Sequence, residues 1–593
     1  MHCSVFSLHF ASKIMSRAIL KTAFVFVFAA IIIPTLLIGQ EQADSKTKNY
    51  YGILDAKLRV FRFVVSVAED NSSATLKSLD EGQQVFKLED FSIGDKMSFK
   101  LKRTVAEYSG SFNKDKNQFV GKWKQGGNEL DLNFLLVEKT PDENTTEIWE
   151  GEINTGVQKL KLRFKLFDEK SKYPVVMDSV TQRVGGFTGT TQNAEGKMFF
   201  SIPALRGKLT AILSEDKKTL KGTWNQGIDF PIELKKVSAA EAQKKLEPPK
   251  RPQTPKAPFP YESEEVEIEN KSAKLTLAAT LTMPITDEKS PCVVLISGSG
   301  AQDRDETLLD HKPFLVIADF LTRRGIAVLR FDDRGTAKST GDHSTATSAD
   351  FATDVSAIVD FLKTHKKIAS DQIGLCGHSE GGLIAPMVAA SRNDIAFLIM
   401  LAGPGVNGEK ILQNQIGLIL AASGEKPEAI AEAKFVQRKM IELVKKAKDD
   451  AEITQERIEM VVDEFLKKYP DNKNERDALI TNVGAGIARL KSPWMKYFFS
   501  YEPSTSLMKT ECPVLVLNGA KDTQVDPKLN IPAIKSVFES AKKTNFEVVE
   551  YPNLNHLFQV CKTGAPAEYN LIEETFSEEV LKKMAQWIDA NAR

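Results

Sequence analysis

Cysteine is scarce and scattered: five residues in 593, with Cys3 near the amino terminus and Cys292, Cys376, Cys512 and Cys561 spread over the rest. A disulfide framework needs more of them, closer together, so the four are read as buried thiols. Cys292 opens one apolar run and Cys376 closes another, which would hold them at opposite ends even of neighbouring parallel strands. Net charge is missing too. Lys+Arg and Asp+Glu each number 79, leaving no positive surplus to neutralise phosphates, so no nucleic-acid partner is expected. A hydrophobic share of 42% beside 27% charged residues excludes a disordered chain, and 593 residues exceed what one core supports. Two or more domains are therefore expected.

Long apolar runs are confined to the start. Lys13, Arg17 and Lys21 precede "TAFVFVFAAIIIPTLLIG", Thr22 to Gly39, after which the chain turns polar. That is the layout of a secretory signal over residues 1–39, with cleavage after Gly39, and it predicts an exported protein, periplasmic or extracellular. The competing reading is an uncleaved anchor attaching the protein to a membrane and facing out of the cytoplasm, since the run is close to a bilayer span. Pro34 and the small Gly39 favour cleavage.

From 45 to 240 the chain reads as short alternating strands, as in "KLRVFRFVVSV" and "KLKLRFKLF", and so as all-β. It repeats itself. "GKWKQG" at Gly121 returns as "GTWNQG" at Gly222, and "KMSF" at Lys96 returns as "KMFF" at Lys197, both displaced by 101 residues. "YYG" ending at Gly52 recurs as "WEG" ending at Gly151. Two copies of one β-module are expected, 45–140 and 145–240. Trp123 and Trp224 hold the same place in both, which favours core packing over a ligand platform.

Six prolines between Pro248 and Pro260 mark a stiff connector, assigned to 241–260. Beyond it, apolar runs such as "CVVLISG", "IGLCG", "FLIML" and "VLVLN" alternate with amphipathic helical stretches. This rhythm predicts a mostly parallel sheet with helices on both faces over 261–593. Residues 408–503 interrupt it with polar helices, read as a cap ending in "SPWMKYFFSYEP". Trp494, Tyr497, Phe498 and Phe499 from that end either line an apolar substrate pocket or pack the cap onto the sheet.

"IGLCGHSEGG" joins a strand to a helix-compatible run through Gly-x-Ser-x-Gly. A turn this tight excludes side chains two residues either side of Ser379, and its strain lifts the hydroxyl clear of the sheet. A serine hydroxyl needs a base, and the base an acid; behind such an elbow they follow in the order Asp, His. Asp522 stands in the loop after "VLVLN", and His556 in the loop after "FEVVEY". Of seven histidines, His2 and His9 lie in the leader, His365 near a helix end and His378 in the elbow; of the loop histidines His311, His343 and His556, only the last follows the serine. Asp526 is a rival acid, and Asp522 is preferred for standing nearer its strand end. An oxyanion hole would use the N–H of Glu380 and that of Ser299 or Gly300 in "SGSGAQDRDE", the choice between the two staying open. Asp333 and Arg334 in "RFDDRGTAKSTGD" are read as an ion pair within their loop, and Glu380 as a rim carboxylate.

Together "LISGSGAQDRDE", "RFDDRGTAKSTGD", "GHSEGG" and "NHLFQ" resemble the bacterial α/β-hydrolase carboxylesterases, relatives of the serine aminopeptidases, over Tyr261 to Arg593. The resemblance implies an α/β-hydrolase fold with nucleophile Ser379, acid Asp522 and base His556. It implies hydrolysis through an acyl-enzyme without fixing the substrate; the expectation adopted is cleavage of carboxylic esters, with no metal or organic cofactor needed, on a small-molecule ester or peptide substrate. It also implies a proline before Gln302, where Ala301 stands. Two alternatives remain: an aminopeptidase using Glu380 or Asp303 to hold an amino terminus, and a non-catalytic binding protein acting through the β-modules.

Overall fold

A computed structural model describes residues 47–592 apart from short stretches at 56–59, 79–84, 102–105, 126–127, 138–144, 155–158, 168–172, 182–183, 195, 206, 227–228, 244–249, 448, 471 and 473–475. The expected leader, with Cys3, His2 and His9, lies outside the described residues. The described chain divides into two compact units, the β-rich residues up to 243 and the residues from 250 onward.

The first unit is β-rich with barrel-like sheets. Its first sheet runs through nine strands, with Thr47–Asp55 hydrogen-bonded both to Val60–Ala68 and to Asn128–Val137. Its second is a closed barrel of eight, from Glu147–Asn154 to Asp229–Val237, which pair with each other. Trp123 and Trp224 are both buried, and each indole N–H donates to a glutamine two residues on, Gln125 at 3.1 Å and Gln226 at 3.3 Å. A barrel of eight strands has just enough interior for side chains, and Trp149, Phe164, Phe200 and Trp224 occupy this one.

The second unit is built on a sheet of β1 (Glu262–Asn270), β2 (Leu275–Met283), β3 (Ser290–Ile296), β4 (Ala327–Phe331), β5 (Ile368–His378), β6 (Leu398–Leu401), β7 (Val514–Gly519) and β8 (Phe546–Tyr551). Their spatial order is β1-β2-β4-β3-β5-β6-β7-β8; β2 is antiparallel to its neighbours, and β4 to β8 run parallel. Successive residues alternate between two buried faces, which is why the runs are apolar throughout: Val294, Leu375, Met400 and Val516 enter one core, while Leu295, Cys376, Leu401 and Leu517 enter the other. Cys292 pairs in register with Ile373 and Cys376 with Leu295, so the two thiols are offset along the sheet, and the four described cysteines are free.

Helices α1 (Pro313–Thr322), α2 (Ser348–Thr364) and α3 (Gly381–Ala389) link the first strands. Between β6 and β7 come α4 (Gly408–Ala422), α5 (Pro427–Lys446), α6 (Gln455–Lys468), α7 (Arg476–Leu490), α8 (Pro493–Ser500) and α9 (Ser504–Leu507). These cap helices start on local signals. Asn407, Thr454 and Ser492 accept N–H groups of the first turn, and Pro427 and Pro493 open helices where no N–H is needed. The cap has its own core around Ile411, Met440, Phe465 and Phe498. Helices α10 (Pro527–Ser540) and α11 (Glu578–Asn591) complete the unit.

Part of the proline-rich stretch is bound onto this unit. The Arg251 guanidinium donates to the carbonyls of Leu309, Asn570 and Ile572, and Gln253 accepts from the N–H groups of Thr575 and Phe576. Beside this strap sits His311, 1% exposed, with Nδ1 at 2.9 Å from Thr575 Oγ1 and Nε2 at 3.0 Å from the Tyr569 carbonyl. Burial, helped by the Arg251 charge, lowers its pKa from 6.5 to about 4. The unfolded chain therefore binds a proton here between those values and the folded chain does not, so this stabilisation is complete above pH 6.5 and is lost as the pH falls towards 4. We expect wild type to lose about 2 kcal/mol more than His311→Gln between pH 7 and pH 5. Urea midpoints at both pH values check it; parallel losses would show that His311 is not the titrating group.

Candidate active site

Because β3, β5, β7 and β8 run parallel, their carboxyl ends share one sheet edge, and the loops leaving that edge carry Gly298 to Glu306, Ser379, Asp522 and His556. Between β5 and α3 the chain turns within two residues. A Cβ on Gly377 would lie 1.9 Å from the Gly381 carbonyl oxygen, and one on Gly381 2.1 Å from that of Ile296. Ser379 takes φ +53°, a left-handed conformation costing a non-glycine residue about 1 kcal/mol. Its N–H is fixed to the Leu401 carbonyl at 2.8 Å, and its carbonyl accepts the Gly382 N–H at 2.9 Å. Gly377→Ala must push backbone against backbone, and we expect a loss of about 3 kcal/mol or more in urea unfolding. Gly484→Ala is the contrast: in helix α7, with Ile458 3.9 Å from the added carbon, it should change stability by no more than about 1 kcal/mol, in the favourable direction.

Asp522 is buried after β7. Its Oδ1 accepts the N–H groups of Gln524 at 2.8 Å and Val525 at 2.9 Å; its Oδ2 accepts His556 Nδ1 at 2.8 Å and Asn518 Nδ2 at 3.2 Å. A carboxylate on Nδ1 leaves Nε2 of a neutral imidazole as the free acceptor. The rival, Asp526, is engaged elsewhere: it accepts the Lys528 N–H at the start of α10 and Asn414 Nδ2 from the cap. Among the described residues no hydrogen bond joins His556 to Ser379. The two loops meet through His378, whose ring centroid is 4.8 Å from that of His556 and whose Nε2 donates to the His556 carbonyl at 3.0 Å.

The loop after β3 lies against the serine, since a Cβ on Gly298 would stand 3.2 Å from Ser379 Cβ. The Gly298 N–H is taken by Glu306 Oε1 at 2.7 Å. Among the described residues the N–H groups of Ser299, Gly300 and Glu380 have no acceptor. The Glu380 side chain is buried, not at a rim: its Oε1 accepts Ser348 Oγ and, from α8, Trp494 Nε1, both at 2.6 Å. Burial raises its pKa although both bonds oppose the shift.

The four cap aromatics divide. Trp494 reaches Glu380, Phe498 and Phe499 are buried in the cap core, and Tyr497 stacks on Tyr501 with burial pushing its phenol to about 12. Among the described residues no three His, Cys, Asp or Glu side chains group as a metal site.

A family model described as serine aminopeptidase, S33, matches residues 312–560, the segment holding Ser379, Asp522 and His556. The C-terminal half is similar to esterases of the α/β-hydrolase kind. Esterase EstD of Thermotoga maritima is 24% identical to it over 317 residues, covering 53% of this chain and 65% of the relative, so the chain spans just under two thirds of that protein's length. Among solved structures, the Pyrococcus furiosus esterase Pf2001 aligns at 17% identity over 56% of this chain and 92% of its own, with a TM-score of 0.35. Est1E from Butyrivibrio proteoclasticus aligns at 17% over 55% of this chain and 98% of its own, with a TM-score of 0.30.

Within the hydrolase half, the expected ion pair in "FDDRG" is not formed. Arg334 pairs instead with Asp354, with Nε 2.7 Å from Oδ2, whereas Asp333 accepts Ser297 Oγ at 2.8 Å and the Gln302 N–H at 2.9 Å. Both residues lie beyond the end of β4 at Phe331, in the turn, and each is held by these partners on other segments. Burial, with Glu380 and Glu306 adding like charge, holds the Asp333 carboxyl well above the usual range. Asp303 is likewise buried, its Oδ1 accepting the N–H groups of Asp305 and Thr307. Sequence reasoning passed over Glu306 and His378, whose rings and carboxylate meet across 72 residues; no spacing rule reports a contact that long.

Proposed function

We propose that this protein is a serine hydrolase cleaving carboxylic esters. The observation that carries the reading is the left-handed φ of Ser379 at a strand-to-helix turn, with an Asp522–His556 pair on loops from the same sheet edge. His556 Nε2 takes the hydroxyl proton as Ser379 Oγ attacks the acyl carbonyl, while Asp522 keeps Nδ1–H in place and offsets the charge of the imidazolium. The N–H of Glu380, at the start of α3, and that of Ser299 or Gly300 bind the oxyanion. His556 then returns the proton to the leaving alcohol, and water, deprotonated by the same imidazole, releases the acid from Ser379.

An aminopeptidase would need a carboxylate free to hold an ammonium group. Glu380 has Oε1 occupied by two donors and is pushed towards its neutral form by burial, and Asp303 is likewise buried, with Oδ1 on its own turn and burial raising its pKa, which supports esters over amino-terminal peptides. The matching tryptophan–glutamine bonds support reading residues 45–140 and 145–240 as two copies of one module. Export through the leader belongs to the same proposal. A fluorophosphonate probe should label the purified protein at Ser379, and short acyl p-nitrophenyl esters should turn over faster than amino-acid anilides. Absence of label, or anilide hydrolysis without ester hydrolysis, would overturn the reading.

A further inference from the structure

Glu306 holds together three pieces of the site that the chain supplies separately. One oxygen, Oε1, accepts the Gly298 N–H at 2.7 Å and His378 Nδ1 at 2.8 Å, and His378 passes the link on from Nε2 to the His556 carbonyl at 3.0 Å. All of it is buried: Glu306 is 6% exposed, His378 6% and His556 4%. Gly298 begins the loop of the two undecided oxyanion donors, His378 precedes the nucleophile, and His556 is the proposed base. The loop presenting Glu306 is strained, with φ +51° at Glu306, +53° at Leu309 and +65° at Asp310. It is pinned by Asp303, whose carbonyl accepts the Glu306 N–H and whose Oδ1 accepts those of Asp305 and Thr307. Strain of this kind persists where surrounding structure forces it, and such places cluster at functional sites.

We infer that Glu306 and His378 are positioning residues that lock the oxyanion loop and the His556 loop to the nucleophile elbow as a charged pair. The inference rests on the serine-hydrolase reading above. Both ring nitrogens of His378 face oxygens, a carboxylate and a backbone carbonyl, so both must carry protons, and the ring is an imidazolium. Burial weighs against that charge, but Glu306, the His556 carbonyl and the more distant Asp522 outweigh it and raise the pKa of His378. A neutral imidazole has one N–H and would release one of its two partners. Either release frees a loop: losing Glu306 loosens the oxyanion donors, losing the carbonyl lets His556 drift. Catalysis falls steeply with such displacements, whereas substrate contacts elsewhere are untouched.

Glu306→Gln tests it, because the amide oxygen can still receive the Gly298 N–H but carries no charge to keep His378 protonated. We expect kcat to fall about 10- to 100-fold with KM within about twofold of wild type. The rate of fluorophosphonate labelling should fall in parallel while the final labelled fraction, which counts folded sites, stays complete. Rates within about twofold of wild type would overturn the inference. Independently of activity, ¹⁵N NMR of ring-labelled histidine, assigned by the signal lost in His378→Gln, should give both nitrogens of His378 protonated at pH 7 in wild type. A neutral pattern there would overturn the pair itself. Wild type that takes up no probe would instead sink the serine-hydrolase reading, and with it the positioning role, while the NMR still judges the charge.

Discussion

Ser379→Ala should lower kcat on a short acyl ester by about 10⁴- to 10⁶-fold, leaving only the turnover that oxyanion binding and proximity supply. The folded state should barely change, because alanine must adopt the same φ of +53° and the bonds that fix the elbow are to backbone atoms. Ser379→Gly separates the two roles of the position. Glycine adopts this conformation without strain, so the variant should be equally inactive yet more stable, by about 1 kcal/mol. Steady-state rates and urea midpoints on the three proteins decide it. Residual turnover in Ser379→Ala within about tenfold of wild type would place the nucleophile elsewhere.

Asp522→Asn should cost about 10⁴-fold in kcat with the fold intact. The geometry says why. Asp522 Oδ1 is held by the N–H groups of Gln524 and Val525, so an asparagine oxygen must stay on that side. Its NH₂ then faces His556 Nδ1, which can meet it only as an acceptor. The ring proton moves to Nε2, the atom that must take the proton from Ser379. Asn518 Nδ2, which donates to Oδ2 in wild type, would be left facing a second donor. Rates normalised to the labelled fraction measure this; a loss below about tenfold would mean that Asp526 or another carboxylate serves the base.

What could be read in the sequence was what local sterics dictate. Glycine two residues either side of Ser379 is legible because the clash it avoids is with atoms at most four residues away or on the adjoining strand, and the parallel sheet is legible because strands buried on both faces must be apolar at every position. The choice of Asp522 over Asp526 rested on distance from the strand end, which fixes where a side chain can reach. Contacts made between loops left no such trace. Asp333 and Arg334 are adjacent and opposite in charge, yet each pairs with a different segment; Glu380 looks like a surface residue beside a glycine pair, yet α8 from the cap covers it. Each depends on where a distant segment folds back, which composition and spacing do not record.

The closed barrel constrains how the β-rich half can be shortened. Its first strand, Glu147–Asn154, is bonded to its last, Asp229–Val237, through the Ile148–Val237 to Gly151–Leu234 pairs. Trimming back past residue 229 would therefore bare two rows of backbone donors and acceptors at once, one on each side of the gap, and both would seek another chain. A soluble shortened version has to remove this ring whole or keep it whole.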